Sequence, residues 1–296
     1  MKYAVIGSAG QVGQEFNKVL PPQDVILLTR ENIDVTDADS VHDCFEGLDC
    51  DVIMNLAAFH DVNGCETDPN KAFQVNAAGA WHVTQNAKRN GCKVVYFSSD
   101  YVFGLDGHTQ LPYVESDPVG PLNVYGASKV AGEHLVRATT KDHLIVRTSS
   151  LFGAVTSKKG WTFPSMILRR ARANEPLKVV NDQYMSPTYT LDLVRTVIHL
   201  VEAGATGTVH VTNEGGCTWF ELACRTLVAA GIDYPIEPVH SDAFPSKARR
   251  PTYSRMDSEQ LESWGVPELR TWKDALHAYL AEIGEVKSPN RVPSSF

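Results

Sequence analysis

Through the first half of the chain, short apolar runs alternate with longer stretches whose hydrophobic residues return every three to four positions. Tyr3–Ile6, Val25–Leu28, Val52–Met54, Val94–Phe97 and Leu144–Val146 are apolar throughout, the pattern of strands covered on both faces. Gln11–Leu20, Asp39–Phe45, Asn70–Arg89 and Val124–Ala138 lie between them and carry the helical period. Such alternation predicts right-handed βαβ units and an α/β fold, a doubly wound parallel sheet with helices on both faces. A sheet of that kind binds its ligand at the carboxyl ends of the strands.

Past about Arg147 the alternation loosens. Trp161–Ala173, Leu191–Glu202, Trp219–Ala230 and Trp272–Ile283 read as helices, Leu177–Val180 and Val209–Val211 as strands, and the loops hold more proline and aromatic residues. The expected division is a Rossmann-type cofactor-binding domain over 1–150, then later sheet strands and a small C-terminal substrate-binding lobe over 151–284. A flexible polar tail with two prolines is expected over 285–296.

Composition narrows the partners. A chain of 296 residues, 43% hydrophobic and 21% charged, buries a full core in one large domain or in a large and a small lobe. Net charge is −8 and no basic block exceeds Lys247–Arg250, which argues against nucleic acid as a partner but leaves room for a small phosphorylated ligand. No apolar stretch approaches the ~18 residues of a membrane span, and Met1–Gly7 reads as a strand, not a signal peptide. Cys44, Cys50, Cys65, Cys92, Cys217 and Cys224 lack CxxC spacing and a histidine pattern, so they read as reduced thiols of a cytoplasmic protein, with no metal site assigned.

The chemistry begins directly after the first strand. Gly7-Ser8-Ala9-Gly10-Gln11-Val12-Gly13 opens the first helix with GxxGxxG spacing, where glycines let a pyrophosphate approach free backbone N–H groups. The second strand ends near Arg30, twenty positions after Gly10. An acidic residue there would take the ribose hydroxyl of NAD; a guanidinium suits the 2′-phosphate of NADP. NADP(H) is therefore the expected cofactor, with NAD left open and a solvated Arg30 paired with Glu31 as the plain alternative.

Asn55-Leu56-Ala57-Ala58 ends the third strand with side chains small enough for a nicotinamide ribose. Asn76 is polar within a packed helix, suited equally to a loop hydrogen bond or to cofactor support. Tyr125 and Lys129 stand four apart on one helix face. A lysine one turn away is expected to lower the phenol from ~10 toward neutral pH, and Ser99, at the end of the fourth strand, to hold a carbonyl oxygen beside Tyr125. YxxxK by itself is a common spacing; the glycine turn and the strand-end serine give it meaning.

Gly7–Gly13, Asn55–Ala58, Ser98–Phe103, Pro121–Gly126, Lys129 to Glu133, Arg147-Thr148-Ser149, Asn181-Asp182-Gln183 with Pro187-Thr188, and Arg250-Pro251 to Ser254-Arg255 together resemble the dTDP-4-dehydrorhamnose reductase family of extended short-chain dehydrogenases. The resemblance runs to about Gly284. It implies NADPH-dependent reduction of the C4 ketone of a dTDP-6-deoxy-4-keto sugar, with Ser99, Tyr125 and Lys129 catalytic. It also implies that Gly7, Gly10–Val12, Arg30, Asp34, Val35, Ala57, Ala58, Phe59 and Phe97 line the cofactor together with Tyr125 and Lys129, and that Ser99, Asp100, Tyr101 and Ser150 face the sugar nucleotide. Three positions depart from the family pattern: Ser150 stands where tryptophan is usual, Met185 where glycine is, and Asn63 where aspartate is. An epimerase retaining its cofactor is one alternative. A non-catalytic NADP-binding subunit, similar to the regulatory subunit of methionine adenosyltransferase, is another. A homodimer and a divalent cation are left open.

Overall fold

A computed structural model describes residues 1–105, 111–155 and 160–286. Five strands follow one another as predicted: β1 (Tyr3–Ile6), β2 (Val25–Leu28), β3 (Val52–Asn55), β4 (Lys93–Ser99) and β5 (His143–Thr148). Seven more are β6 (Leu151–Phe152), β7 (Leu177–Val180), β8 (Tyr184–Met185), β9 (Thr188–Tyr189), β10 (Gly207–His210), β11 (Cys217–Thr218) and β12 (Ile236–Val239). The helices are α1 (Gln11–Val19), α2 (Ala38–Phe45), α3 (Val62–Thr67), α4 (Pro69–Phe73), α5 (Gly79–Arg89), α6 (Val124–Thr139), α7 (Phe163–Arg172), α8 (Thr190–Glu202), α9 (Trp219–Ala229) and α10 (Trp272–Glu282).

The main sheet has six parallel strands in the order β10-β5-β4-β3-β1-β2. Chain order reverses beside β1, which places the ligand crevice between the ends of β1 and β3. Alternate side chains of each strand fill two cores. Val5, Met54, Val95 and Val146 meet Phe16 of α1 and Leu193, Val197 and Leu200 of α8 on one face. Ala4, Ile6, Ile53 and Val94 meet Val41, Phe45, Val83 and Ala87 on the other.

Two expectations are corrected. Val25–Leu28 is not buried on both faces, because β2 is an edge strand: Leu27 is 39% exposed, and Val25 and Ile26 are half-buried. Asn70–Arg89 is not one α-helix. Asp68 caps α4 at Lys71 N (3.0 Å), and α4 and α5 are separated by a π-helical turn over Gln74–Ala78. Turns of this kind often mark functional positions.

The lobe is assembled from short pairings far apart in sequence: β11 with β8, β12 with β7 and β6 with β9. Phe152, Leu168, Met185, Leu222, Leu276 and Tyr279 form its core. Of the expected tail, Glu285 pairs with Arg172 and Val286 packs on the lobe core, so its first two residues are anchored; 287–296 lie outside the described residues. No helix among the described residues is long and apolar enough to cross a membrane. The six cysteines are free thiols, with Cys50 and Cys92 3.7 Å apart.

Candidate active site

The glycine turn is forced by contact. Gly7 has φ +82°, and a side chain at Gly13 would lie 2.6 Å from Ser8 Cα, so α1 could not close onto the end of β1 with any larger residue. Gly10 caps α1 and leaves its own edge exposed, while Gln11 Nε2 is buried without a hydrogen-bond partner. Val12 is half-buried beside it. Exposed N–H groups at a helix start, beside an unpartnered amide, fit an anionic dinucleotide.

Arg30 stands beyond β2 with a side chain 79% exposed, reaching Asp34 at 3.4 Å and not Glu31. Asp34 accepts from Thr36 N and Oγ1 (3.0 and 2.6 Å), and these bonds hold its carboxyl below the usual range. An exposed i,i+4 pair of this length contributes only a few tenths of a kcal/mol, so the guanidinium is available to a stronger anion. Val35 is buried beneath Gly79.

Ala57, Ala58 and Phe59 lead away from β3, all half-buried. Asn76, fully buried in the π-turn, clamps this loop: its side chain accepts from Phe59 N (2.8 Å) and donates to Phe59 O (3.0 Å) and Ser128 Oγ (2.9 Å). Of the two readings of Asn76, the loop hydrogen bond is the one observed, and it ties this loop to α6. Phe97, expected to line the cofactor, is 8% exposed, with its ring packed edge-on to Phe16 at 6.0 Å in the core.

Helix α6 carries Tyr125 and Lys129. Asn123 caps it by accepting from Gly126 N (2.8 Å), and Glu66 accepts from Val124 N (2.8 Å). A side chain at Gly126 would meet Tyr101 O at 2.1 Å, so glycine after the tyrosine lets the helix rest on the end of β4. There Ser99, 8% exposed, lies close enough to Tyr125 to draw its phenol down. The Tyr101 ring stands edge-on to Tyr125 at 6.1 Å, and the Arg250 guanidinium draws its phenol down against the effect of burial.

The electrostatics correct a further expectation. Lys129 is 1% exposed with Nζ 4.1 Å from the centre of the Tyr96 ring, and burial pushes its ammonium down to about 7. A lysine that so readily gives up its charge does not draw the phenol down. Burial instead pushes Tyr125 up, against the opposing pull of Ser99, with the Asp100 carboxylate adding to the rise. The phenol therefore keeps its proton, the form that an acid acting on a carbonyl oxygen requires.

Asp100 does not face outward. It is 4% exposed, and its carboxylate accepts from Ser99 Oγ (3.0 Å), Ser149 Oγ (2.9 Å) and Ser254 Oγ (2.7 Å). Ser150 follows at φ +46°, a strained backbone for a residue with a side chain. Met185 lies in the lobe core, and Asn63 accepts from Ser246 Oγ (2.8 Å) and Ala248 N (3.2 Å).

Sequence reasoning missed the partners that hold these groups. Ser149 and Ser254 converge on Asp100 from distant segments. Glu133 accepts from Arg147 Nε and Nη2 (2.9 and 2.8 Å), Arg137 (3.0 Å) and Ser98 (2.6 Å) behind Lys129. Ser149 and Ser254 stood inside recognised motifs, but no local spacing shows that they meet.

A tight glycine turn at a helix start, a YxxxK pair on one helix and a strand-end serine on a doubly wound sheet define an oxidoreductase of the short-chain dehydrogenase type. The family model described as RmlD substrate binding domain matches residues 1–285, and the chain belongs to that family. The spore coat polysaccharide biosynthesis protein SpsK of Bacillus subtilis is 38% identical over 283 residues, covering 95% of this chain and 97% of the relative. A dTDP-4-keto-6-deoxy-D-glucose reductase of Streptomyces niveus is 33% identical over 279 residues, covering 93% and 95%. The structure of a Bacillus anthracis dTDP-4-dehydrorhamnose reductase, solved with NADP, superposes with TM-score 0.90 at 32% identity, covering 95% of this chain and 100% of that one.

Proposed function

We propose that the chain reduces the C4 ketone of a dTDP-6-deoxy-4-keto sugar with NADPH, converting dTDP-4-dehydrorhamnose to dTDP-L-rhamnose or acting on a close relative of that sugar. One observation carries the reading: a half-buried phenol that keeps its proton, close to a serine at the carboxyl end of β4, on the sheet edge where a tight glycine turn also lies. Relatives named as reductases of two such sugars support it.

Gly7 and Gly10–Val12 would hold the diphosphate, Arg30 the 2′-phosphate and Ala57–Phe59 the nicotinamide end, with Lys129 at the ribose. NADPH, when bound, supplies the hydride. Ser99, whose hydroxyl donates to Asp100 in the free protein, would turn it to donate to the substrate carbonyl oxygen beside Tyr125. The Tyr125 hydroxyl gives its proton to that oxygen as the alcohol forms. Burial of Lys129 keeps water from competing for its ammonium.

Ser150 stands where the family usually has a tryptophan, and the loss of that large flat side chain favours a sugar other than 4-dehydrorhamnose as a second reading. The test is loss of NADPH absorbance with dTDP-4-dehydrorhamnose and with dTDP-4-keto-6-deoxyglucose. Oxidation of NADPH by either upholds the reductase and names its sugar. Epimerised product with NADPH unconsumed would replace it with an epimerase. Tight NADP binding without turnover on any keto sugar would replace it with a binding protein.

A further inference from the structure

Tyr125 is the second residue of α6, in the turn whose N–H groups find no partner within the helix and which frays most readily. That first turn holds no acidic residue of its own. Gly126 cannot become one, since a side chain there would meet Tyr101 O at 2.1 Å. The carboxylate that a helix start favours comes instead from 58 positions earlier, where Glu66 Oε1 accepts from Val124 N at 2.8 Å. Asn123 Oδ1 accepts from Gly126 N at 2.8 Å. The N–H groups on both sides of Tyr125 are therefore held, one by the helix's own cap and one by a different element.

Glu66 stands on α3, a short helix that is itself fastened on two sides. Cys65 is fully buried, and its Sγ donates to Phe59 O (3.4 Å) on the loop that leaves β3. Toward the lobe, Asn63 accepts from Ser246 Oγ (2.8 Å) and Ala248 N (3.2 Å), and Thr67 Oγ1 accepts from Lys247 Nζ (3.2 Å). The loop after β3, the 246–248 segment of the lobe and the start of α6 thus meet on one helix. Glu66 carries that anchorage to the residue just before Tyr125.

We propose that Glu66 is a positioning residue: its carboxylate pins the first turn of α6 and so fixes where the Tyr125 hydroxyl stands at the end of β4. It acts through the backbone of Val124. The inference rests on the reductase reading, because the place of Tyr125 governs a rate only if its proton goes to a carbonyl oxygen there. A helix start held on one side of the tyrosine can still fray; held on both, it presents the hydroxyl in one place. A displacement of about 1 Å at such a group can cost ~10²-fold in rate.

The test compares Glu66→Ala and Glu66→Gln in the full chain with NADPH and a dTDP-4-keto sugar. Glu66→Ala removes the acceptor and lowers kcat roughly tenfold or more, with KM for the sugar and NADPH affinity unchanged. Glu66→Gln keeps an acceptor oxygen of the same reach and restores most of that rate. An unchanged kcat in Glu66→Ala, or a raised KM with kcat intact, would overturn the proposal, as would a Glu66→Gln variant as slow as Glu66→Ala. Should the wild-type protein prove inert toward every keto sugar, the reductase reading falls by itself, and amide hydrogen exchange then decides the anchor. Severalfold faster exchange at Val124 and Tyr125 in Glu66→Ala, with the slow rate kept in Glu66→Gln, upholds it; equal rates in wild type and both variants overturn it.

Discussion

The half of the molecule that carries the main sheet and the lobe that follows are built on different principles. In the first, each strand is an apolar run that pairs along its length with a strand of the same kind, as β4 does with β5 over six residues. In the second, β6, β8, β9 and β11 are two residues long and exist only where a distant partner meets them. The chemistry divides the same way. The glycine turn and the Tyr125–Lys129 pair are local spacings, whereas Asp100 meets Ser254 across 154 positions and Asn63 meets Ser246 across 183. Local motifs supply the candidate groups; long-range contacts hold the residues around them.

Substitutions can break this contrast, beginning with the largest effect. Tyr125→Phe is expected to lower turnover by roughly 10²–10⁴-fold with NADPH affinity unchanged, since it removes a proton and little else. A variant keeping most of its rate would take Tyr125 out of proton transfer. Glu133→Gln should cost about 3–5 kcal/mol in urea unfolding, because it leaves Arg147, 3% exposed, without its carboxylate. A loss under ~1 kcal/mol would show that the network behind Lys129 is dispensable.

Met185→Ala should cost ~2–4 kcal/mol through a cavity in the lobe core, with NADPH affinity retained by the first half. Loss of NADPH binding would mean that the two halves are not separable. Arg30→Asp should move preference from NADPH toward NADH by ~10-fold or more, the worth of a charge-assisted bond of about 1.5–3 kcal/mol. An unaltered ratio removes Arg30 from the cofactor site.

The smallest effect concerns pH. Between 7 and 10.5 the unfolded Lys129 keeps its proton while the folded one, at about 7, has lost it, so this residue makes stability rise with pH over that window. Lys129→Met should be more stable than wild type at pH 7, with the gap narrowing by roughly 2 kcal/mol by pH 9. A constant gap would show that the folded lysine stays charged.

Much of the first half was readable because its signals are periodic. β1 and β2 fall where the apolar runs ended, and α6 begins at Val124, behind an asparagine suited to capping it. The break at Gln74–Ala78 was not readable, since nothing in its spacing distinguishes it from α-helix; the π-turn appears with Asn76 bonded to Phe59 and Ser128. Nor was the exposure of β2 visible, because an edge strand and a central strand can share one apolar sequence.

The amino-acid sequence alone determined the parallel α/β sheet, the glycine turn and the helix bearing Tyr125 and Lys129, because hydrophobic period and backbone sterics act over a few residues. Tertiary structure decided the charge on Lys129, the proton on Tyr125 and the partners of Asp100. Those depend on burial and on hydroxyls brought in from other segments, and desolvation is a property of the packed molecule that no run of residues carries by itself.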